Sequence, residues 1–308
     1  MQKPQLPGPE AIQKEGLTNF VGAVTNGLYG AVVFDFKSPH DGLEAKKSWF
    51  FFDEEYVCLG TDIKSKPDLP VATTINQSLM RSEVSMMQDG TKKIVQKGNR
   101  AVENIKWVYH DQVGYIFPQP TTIHLSNQAE TGRWSDITDQ KNISKELVSE
   151  EVFKLWFDHG KKPQNASYQY IVVRLFRSNN LSETSSSNRG IEILSNTADL
   201  QAVKNTRLGL TQLAFYKAGE IVVDKDINVK MDSQGMAMLK IQNGQLKALT
   251  VADPSRQLGK ILLTVSGIYK AKGEHYTTLI NEKQNSTLFI IDLPQGVYLG
   301  KSVEIKLP

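Results

Sequence analysis

The sequence predicts an all-β protein, a large antiparallel multi-sheet β-sandwich followed by a smaller β-sandwich. Three observations carry that prediction. Strand-sized runs rich in β-branched and aromatic residues recur along the whole chain. Turn dipeptides such as Asp89-Gly90 and Asn243-Gly244 separate several of them, and these pairs favour tight hairpins. Helical signals are few, and the main one, at 149–159, reads equally well as a strand.

The elements follow in order. Residues 22–36 alternate around Gly27, Gly30 and the aromatics Tyr29, Phe34 and Phe36. Residues 48–59 form a dense block, Trp49-Phe50-Phe51-Phe52 and then Tyr56-Val57, split by Asp53-Glu54-Glu55 as by a hairpin turn. Strand composition returns at 71–75, 106–117, 121–126 and 168–173. Consecutive apolar residues, as in Trp49-Phe50-Phe51-Phe52 and Phe153-Lys154-Leu155-Trp156, fit a sheet buried on both faces. Trp49, Phe51, Trp156 and Tyr170 are therefore expected mostly in the core. A polar stretch of small residues at 178–188 reads as a surface loop or linker. Further strands are expected at 208–216, 220–223, 236–241, 246–251, 260–265, 287–291 and 302–307. The expected division is 1–195 for the larger unit and 196–308 for the smaller.

Composition narrows the function. The chain has 308 residues, 40% hydrophobic and 22% charged, which suits a folded protein and excludes a disordered one. Lys+Arg 36 against Asp+Glu 33 leaves a net charge of +3, too balanced for a dedicated nucleic-acid binder. No apolar run approaches the roughly 18 residues of a membrane helix, so no membrane partner is expected. Cys58 is the only cysteine, and it cannot form an internal disulfide or a cysteine-rich metal site. The segment around Pro4, Pro7 and Pro9 has no apolar core of a signal peptide and reads as a connector.

Few residues offer chemistry. The five histidines, His40, His110, His124, His159 and His275, show no metal-ligand spacing, so no metal and no cofactor are expected. In Tyr109-His110-Asp111, alternation along a strand lets Tyr109 and Asp111 share a face and turns His110 away. A base and its partner must lie within hydrogen-bond reach, so no catalytic residue is assigned. Gly132-Arg133-Trp134-Ser135-Asp136 is the candidate carbohydrate contact. A loop Trp134 gives a stacking face for a sugar, and Arg133 gives charge-assisted bonds to carboxylate or sulfate. The alternative is a Trp134 that covers the edge of the core.

The run Lys46-Lys47-Ser48-Trp49-Phe50-Phe51-Phe52-Asp53-Glu54-Glu55-Tyr56-Val57-Cys58-Leu59-Gly60 resembles a characteristic segment of polysaccharide lyase family 8, the chondroitin AC, hyaluronate and xanthan lyases. Thr73-Thr74-Ile75-Asn76-Gln77, Tyr109-His110-Asp111 before Gly114-Tyr115, and Gly132-Arg133-Trp134 follow in the family's order. So do Phe153-Lys154-Leu155-Trp156 with His159-Gly160, and Asn196-Thr197 with Leu200-Gln201-Ala202-Val203. The likeness covers nearly the whole chain and is nearest to the chondroitin AC branch. It implies the family's central and C-terminal β domains, an acidic polysaccharide as partner, and a secreted or periplasmic location. It also implies an N-terminal α/α-toroid catalytic domain as a second partner. The family's catalytic Asn, His, Tyr and Arg lie on that toroid, and no position here matches their motifs. The expected role is therefore to support the catalytic domain and bind anionic glycan. The rivals are part of an active chondroitin- or hyaluronan-type eliminase, and a stand-alone carbohydrate-binding protein.

Overall fold

The computed structural model describes residues 16–39, 41–138, 140–174 and 189–307. The loop expected at 178–188 lies outside them. In chain order the strands are β1 (Val21–Thr25), β2 (Gly30–Lys37), β3 (Glu44–Phe51), β4 (Glu55–Lys64), β5 (Pro70–Leu79), β6 (Ser85–Gln88), β7 (Thr91–Ile94), β8 (Asn99–Val102) and β9 (Ile105–His110). They continue as β10 (Val113–Ile116), β11 (Ile123–Gly132), β12 (Val148–Lys161), β13 (Ala166–Arg174), β14 (Ile191–Asn196), β15 (Leu200–Asn205), β16 (Leu210–Phe215), β17 (Gly219–Asp224) and β18 (Ile227–Met231). The last are β19 (Gly235–Gln242), β20 (Gln245–Ala252), β21 (Lys260–Ser266), β22 (Lys272–Gly273), β23 (Tyr276–Asn281), β24 (Ser286–Asp292) and β25 (Val303–Lys306). The stretch with the helical alternative, 149–159, lies inside strand β12.

These strands build four antiparallel sheets. Sheet A has nine strands in the order β1-β2-β3-β4-β13-β10-β9-β6-β7, and sheet B has four in the order β5-β12-β11-β8. Sheets C and D have six each, β14-β15-β16-β19-β20-β25 and β17-β18-β21-β24-β23-β22. Both turn dipeptides behave as read. Asp89 and Gly90 have φ of 49° and 76°, Asn243 and Gly244 have 53° and 70°, and each pair joins two adjacent strands. Two successive positive φ values give a hairpin turn whose twist matches that of its strands.

Three apolar cores bind the sheets into the stack B–A–C–D. Between B and A lie Ile123, Leu125, Phe153, Leu155 and Phe157 against Val108, Tyr115, Tyr170 and Val172. Between A and C lie Ala31, Val33, Phe50, Val57 and Leu59 against Val203, Leu210, Ala214, Met236 and Met238. Between C and D lie Leu213, Phe215, Leu239 and Val251 against Val229, Leu263, Phe289 and Ile291. Sheets A and C are thus the inner layers, and their strands β4, β13 and β16 carry buried residues on both faces. All six residues of β16 are buried.

The expected burial of four aromatics needs correction. Tyr170 is buried at 7% exposure, but Phe51 is 40% exposed and Trp49 and Trp156 are only half-buried. Sheet B has four strands against nine in sheet A, so part of that face of sheet A has no opposing sheet. Trp49 and Phe51 stand on it. Trp156 lies on the outer side of sheet B, while Phe153, Leu155 and Phe157 fill the inner side.

Candidate functional site

Strands β11 and β12 pair over a long register, from His124 opposite Trp156 to Gly132 opposite Val148. The hairpin ends in the segment that carries Arg133 and Trp134. The chain turns there in one short 3-10 turn, Trp134–Asp136. The Asp136 amide donates to the Arg133 carbonyl at 3.1 Å, and the Ile137 amide donates to the Trp134 carbonyl at 3.1 Å. The Asp136 carboxylate accepts from the Arg133 amide at 3.3 Å, which fixes the start of the turn. Arg133 is exposed, and Trp134 is 57% exposed rather than folded back on the core. Ile137, Leu147 and Val148 around it are exposed as well. The hairpin end therefore presents a ring, a guanidinium and an apolar surround to solvent.

The outer face of sheet B leads to this end. Period-two alternation puts His124, Gln128 and Glu130 of β11 beside Val152, Lys154, Trp156 and Asp158 of β12 on that face. His124 stacks on Trp156 with ring centroids 5.3 Å apart, and its Nε2 lies 3.9 Å from the Asp158 carboxylate. Lys154 pairs with Glu130 at 2.9 Å. Sequence reading missed this strip because it placed Trp156 in the core. The signal was present: Phe153, Leu155 and Phe157 alternate with Val152, Lys154 and Trp156, so one strand face carries the apolar residues and the other the mixed ones.

The histidines do not converge among the described residues. His110 is 1% exposed, stacks on Phe153 at 4.5 Å, and accepts the Arg81 amide at 3.5 Å. Burial holds its imidazole below the ordinary histidine range. His159 shares a 2.8 Å hydrogen bond with the Thr73 hydroxyl, and burial lowers its pKa also. His275 is exposed near β22 and β23. Tyr109 packs toward sheet C and His110 toward sheet B, as alternation requires. Asp111 does not share the face of Tyr109. It sits with Gln112 in a two-residue turn, with φ of 47° and 65°, where strand alternation no longer applies. Among the described residues no group of three or more His, Cys, Asp or Glu could hold a metal ion. No described helix is long and apolar enough to cross a membrane. Burial pushes the Cys58 thiol up to about 12, which leaves it an inert core group.

Residues 1–185 match the family model described as polysaccharide lyase family 8, super-sandwich domain, and residues 192–261 match that family's C-terminal beta-sandwich domain. The chain belongs to polysaccharide lyase family 8. Among curated family 8 proteins, the chondroitinase-AC of Pedobacter heparinus is 34% identical over 300 residues, spanning 95% of this chain and 39% of that protein. The xanthan lyase of Bacillus sp. strain GL1 is 27% identical over 75% of this chain and 25% of its own length. The hyaluronate lyase of Thermasporomyces composti is 24% identical over 84% of this chain and 34% of its own length. A chondroitinase AC lyase solved with bound oligosaccharides superposes with a TM-score of 0.81 at 32% identity, covering 95% of this chain and 40% of that one. The Paenibacillus xanthan lyase gives the same TM-score at 25% identity, over 94% of this chain and 28% of that structure. The chain therefore spans well under half the length of these family 8 relatives.

Proposed function

We propose that these β-sandwiches, divided near residue 195, are the supporting and glycan-contacting part of an extracellular or periplasmic polysaccharide lyase. In that reading they buttress an α/α-toroid catalytic domain and contact acidic polysaccharide through Arg133 and Trp134. The observation that carries the reading is the joint exposure of those two side chains on one short turn. The ring supplies stacking area and the guanidinium supplies charge-assisted bonds to carboxylate or sulfate. Relatives named for chondroitin and hyaluronate support an acidic polymer as ligand.

The chain by itself does not perform the elimination in this reading. Breaking the bond next to a uronate needs a base for the α-proton, an acid for the leaving oxygen and a group that neutralises the carboxylate, all in one cleft. The described histidines are instead buried, or paired with Trp156 and Thr73, or remote on sheet D. The test mixes purified chain with chondroitin sulfate or hyaluronan and follows the absorbance of the unsaturated uronate. No turnover is expected, while weak binding is expected and is lost in Arg133→Ala and Trp134→Ala. Sustained turnover that disappears on changing Tyr109 or His110 would put the catalytic site in the β domain.

A further inference from the structure

Sheet A is nine strands wide and sheet B four, and the excess lies at one end. Only Glu103 and Asn104 join β8 to β9, so that edge of sheet B lies over β9. Phe157 of β12 packs on Tyr168 and Tyr170 of β13, with ring centroids 5.8 and 6.0 Å apart. Val71 and Ile75 of β5 share a core with Ala45 of β3 and Ile63 of β4. From β8 to β5, sheet B therefore advances across sheet A from β9 toward β4, and β5 ends it. Strand β5 is ten residues long, and among the described residues it pairs with β12 alone. A long unpaired edge offers a row of backbone donors and acceptors to another strand.

The half-face of β1, β2 and β3 beyond β5 is apolar and uncovered. Cross-strand register puts Val21, Phe34 and Lys47 in one row and Ala23, Val32 and Trp49 in the next. These rows run on into Gly60 with Tyr168 and into Cys58 with Tyr170, where sheet B does cover sheet A. The uncovered half is thus a continuation of the B–A interface. Phe51 beside it is exposed and stacks on Tyr56 at 5.5 Å. Lys47 is the one charge in the two rows. It is half-buried with its ammonium 5.5 Å from the Trp49 ring, and among the described residues no carboxylate pairs with it. Lys46, on the opposite face, is paired with Asp35 at 3.1 Å. A half-buried cation without a counter-charge is costly, and an acid from a partner would offset that cost. Two copies of this chain set face to face would not supply one, since neither row contains an acidic residue.

We propose that this half-face and the free edge of β5 form one docking surface for an extended segment of the remaining polypeptide of a family 8 lyase. Its strands add to β5, lay alternate apolar side chains on Phe34, Trp49 and Phe51, and set a carboxylate against Lys47. Strand addition takes affinity from the backbone ladder and specificity from alternate side chains. At roughly 4.8 Å between neighbouring strands, about three of them cover β3, β2 and β1. The chemistry of the occupant is read from the surface, and its source rests on the supporting role proposed above. The surface shares no residue with Arg133 and Trp134.

The test co-expresses the full chain with the part of the Pedobacter chondroitinase-AC that lies outside the 300 matched residues. The complex is read by sedimentation velocity over a dilution series and by amide hydrogen exchange. An equimolar complex is expected, in which exchange slows along β5 and stays unchanged along β8, the other edge of sheet B. Phe51→Asp is expected to abolish the complex and Lys47→Met to weaken it about tenfold. The unfolding midpoint of each variant alone separates lost contact from lost fold, and the exchange map of the unaltered chain needs no variant. A complex that survives both changes and leaves β5 exchange unaltered would overturn this surface and leave the supporting role standing. No complex at all would overturn both. An unaltered chain that dimerises by itself, through a dimer broken by Phe51→Asp, would overturn the proposal and give the face to a second copy.

Discussion

The two faces of sheet C are both buried, yet they are built differently. Toward sheet D the contact is almost wholly aliphatic and aromatic, with Leu213, Phe215, Leu249, Phe289 and Ile291 fully buried. Toward sheet A the apolar patch of Val203, Ala214 and Met236 is interrupted by Gln201, Asn205 and Gln212, also buried. These polar groups reach across. The Ser48 hydroxyl donates to Gln201 Oε1, and the Gln201 amide donates to Asn196 Oδ1 at 2.8 Å. Asn196 donates in turn to the Tyr168 carbonyl at 3.1 Å. Gln212 donates to the Phe51 carbonyl at 3.1 Å, and the Tyr216 hydroxyl donates to the Lys47 carbonyl at 2.9 Å. Sheet C thus gains stability from one face and a fixed placement on its neighbour from the other. Apolar contacts are non-directional, whereas a buried donor is satisfied in only a few relative positions of the two sheets.

That contrast can be broken from either side. The largest effect is expected at the apolar face. Phe289→Ala leaves a cavity among fully buried neighbours and should cost about 3–5 kcal/mol, read as a lower urea midpoint. At the polar face, Gln201→Leu takes the donor from Asn196 Oδ1 and one of two partners from the Ser48 hydroxyl, which keeps Tyr216 at 3.0 Å, and should cost about 1–3 kcal/mol. Ser48→Ala together with Gln201→Leu should cost less than the sum of the two single changes, because both remove the same Ser48–Gln201 bond. Two residues that did not interact would simply add their costs.

A third test uses pH. Glu55 sits at the polar interface with Arg189 at 3.1 Å and Asn205 at 3.4 Å. Burial raises its carboxyl above the ordinary glutamate value of 4.5 and outweighs the lowering by Arg189 and Arg207. The folded chain then holds this proton more tightly than the unfolded chain. The stability this contributes is complete below pH 4.5 and is lost as the pH rises past the folded-state value. Glu55→Gln should therefore flatten the dependence of the urea midpoint on pH from 4.5 upward; an unchanged slope would remove Glu55 from the account. The smallest effect is expected far from both faces. Arg133→Ala and Trp134→Ala touch exposed side chains and should move stability by no more than about 0.5 kcal/mol, so any loss of glycan binding reads as lost contact.

The same contrast explains what was hard to read along the chain. Residues such as Leu210-Thr211-Gln212-Leu213-Ala214-Phe215 look like one buried strand, and they are. Nothing local says that Gln212 faces sheet A and Leu213 faces sheet D. The polar, glycine-led segment left two readings of Trp134, exposed or covering the edge of the core, and the short turn at 134–136 decided for exposure. The pairing of His124 with Trp156 was not legible, because it depends on the β11–β12 register across 32 residues of chain. Trp156 and Phe153 have similar apolar character, so composition could not separate them. A change of Trp156 to Ala should accordingly cost less than the same change at Phe153, which is fully buried.

The sequence by itself determined the all-β class, most strand positions, the tight turns at Asp89-Gly90 and Asn243-Gly244, and the family. These rest on local preferences and on motifs a few residues long, which neighbours in the chain carry on their own. Only the tertiary structure decided the stacking of four sheets, the half-exposure of Trp49 and Trp156, and the hydrogen-bonded seam from Ser48 to Tyr216. Each of these depends on which residues distant in sequence meet across a layer. Strand alternation says that a residue has two possible faces, and the packing of the neighbouring sheet chooses what that face will meet.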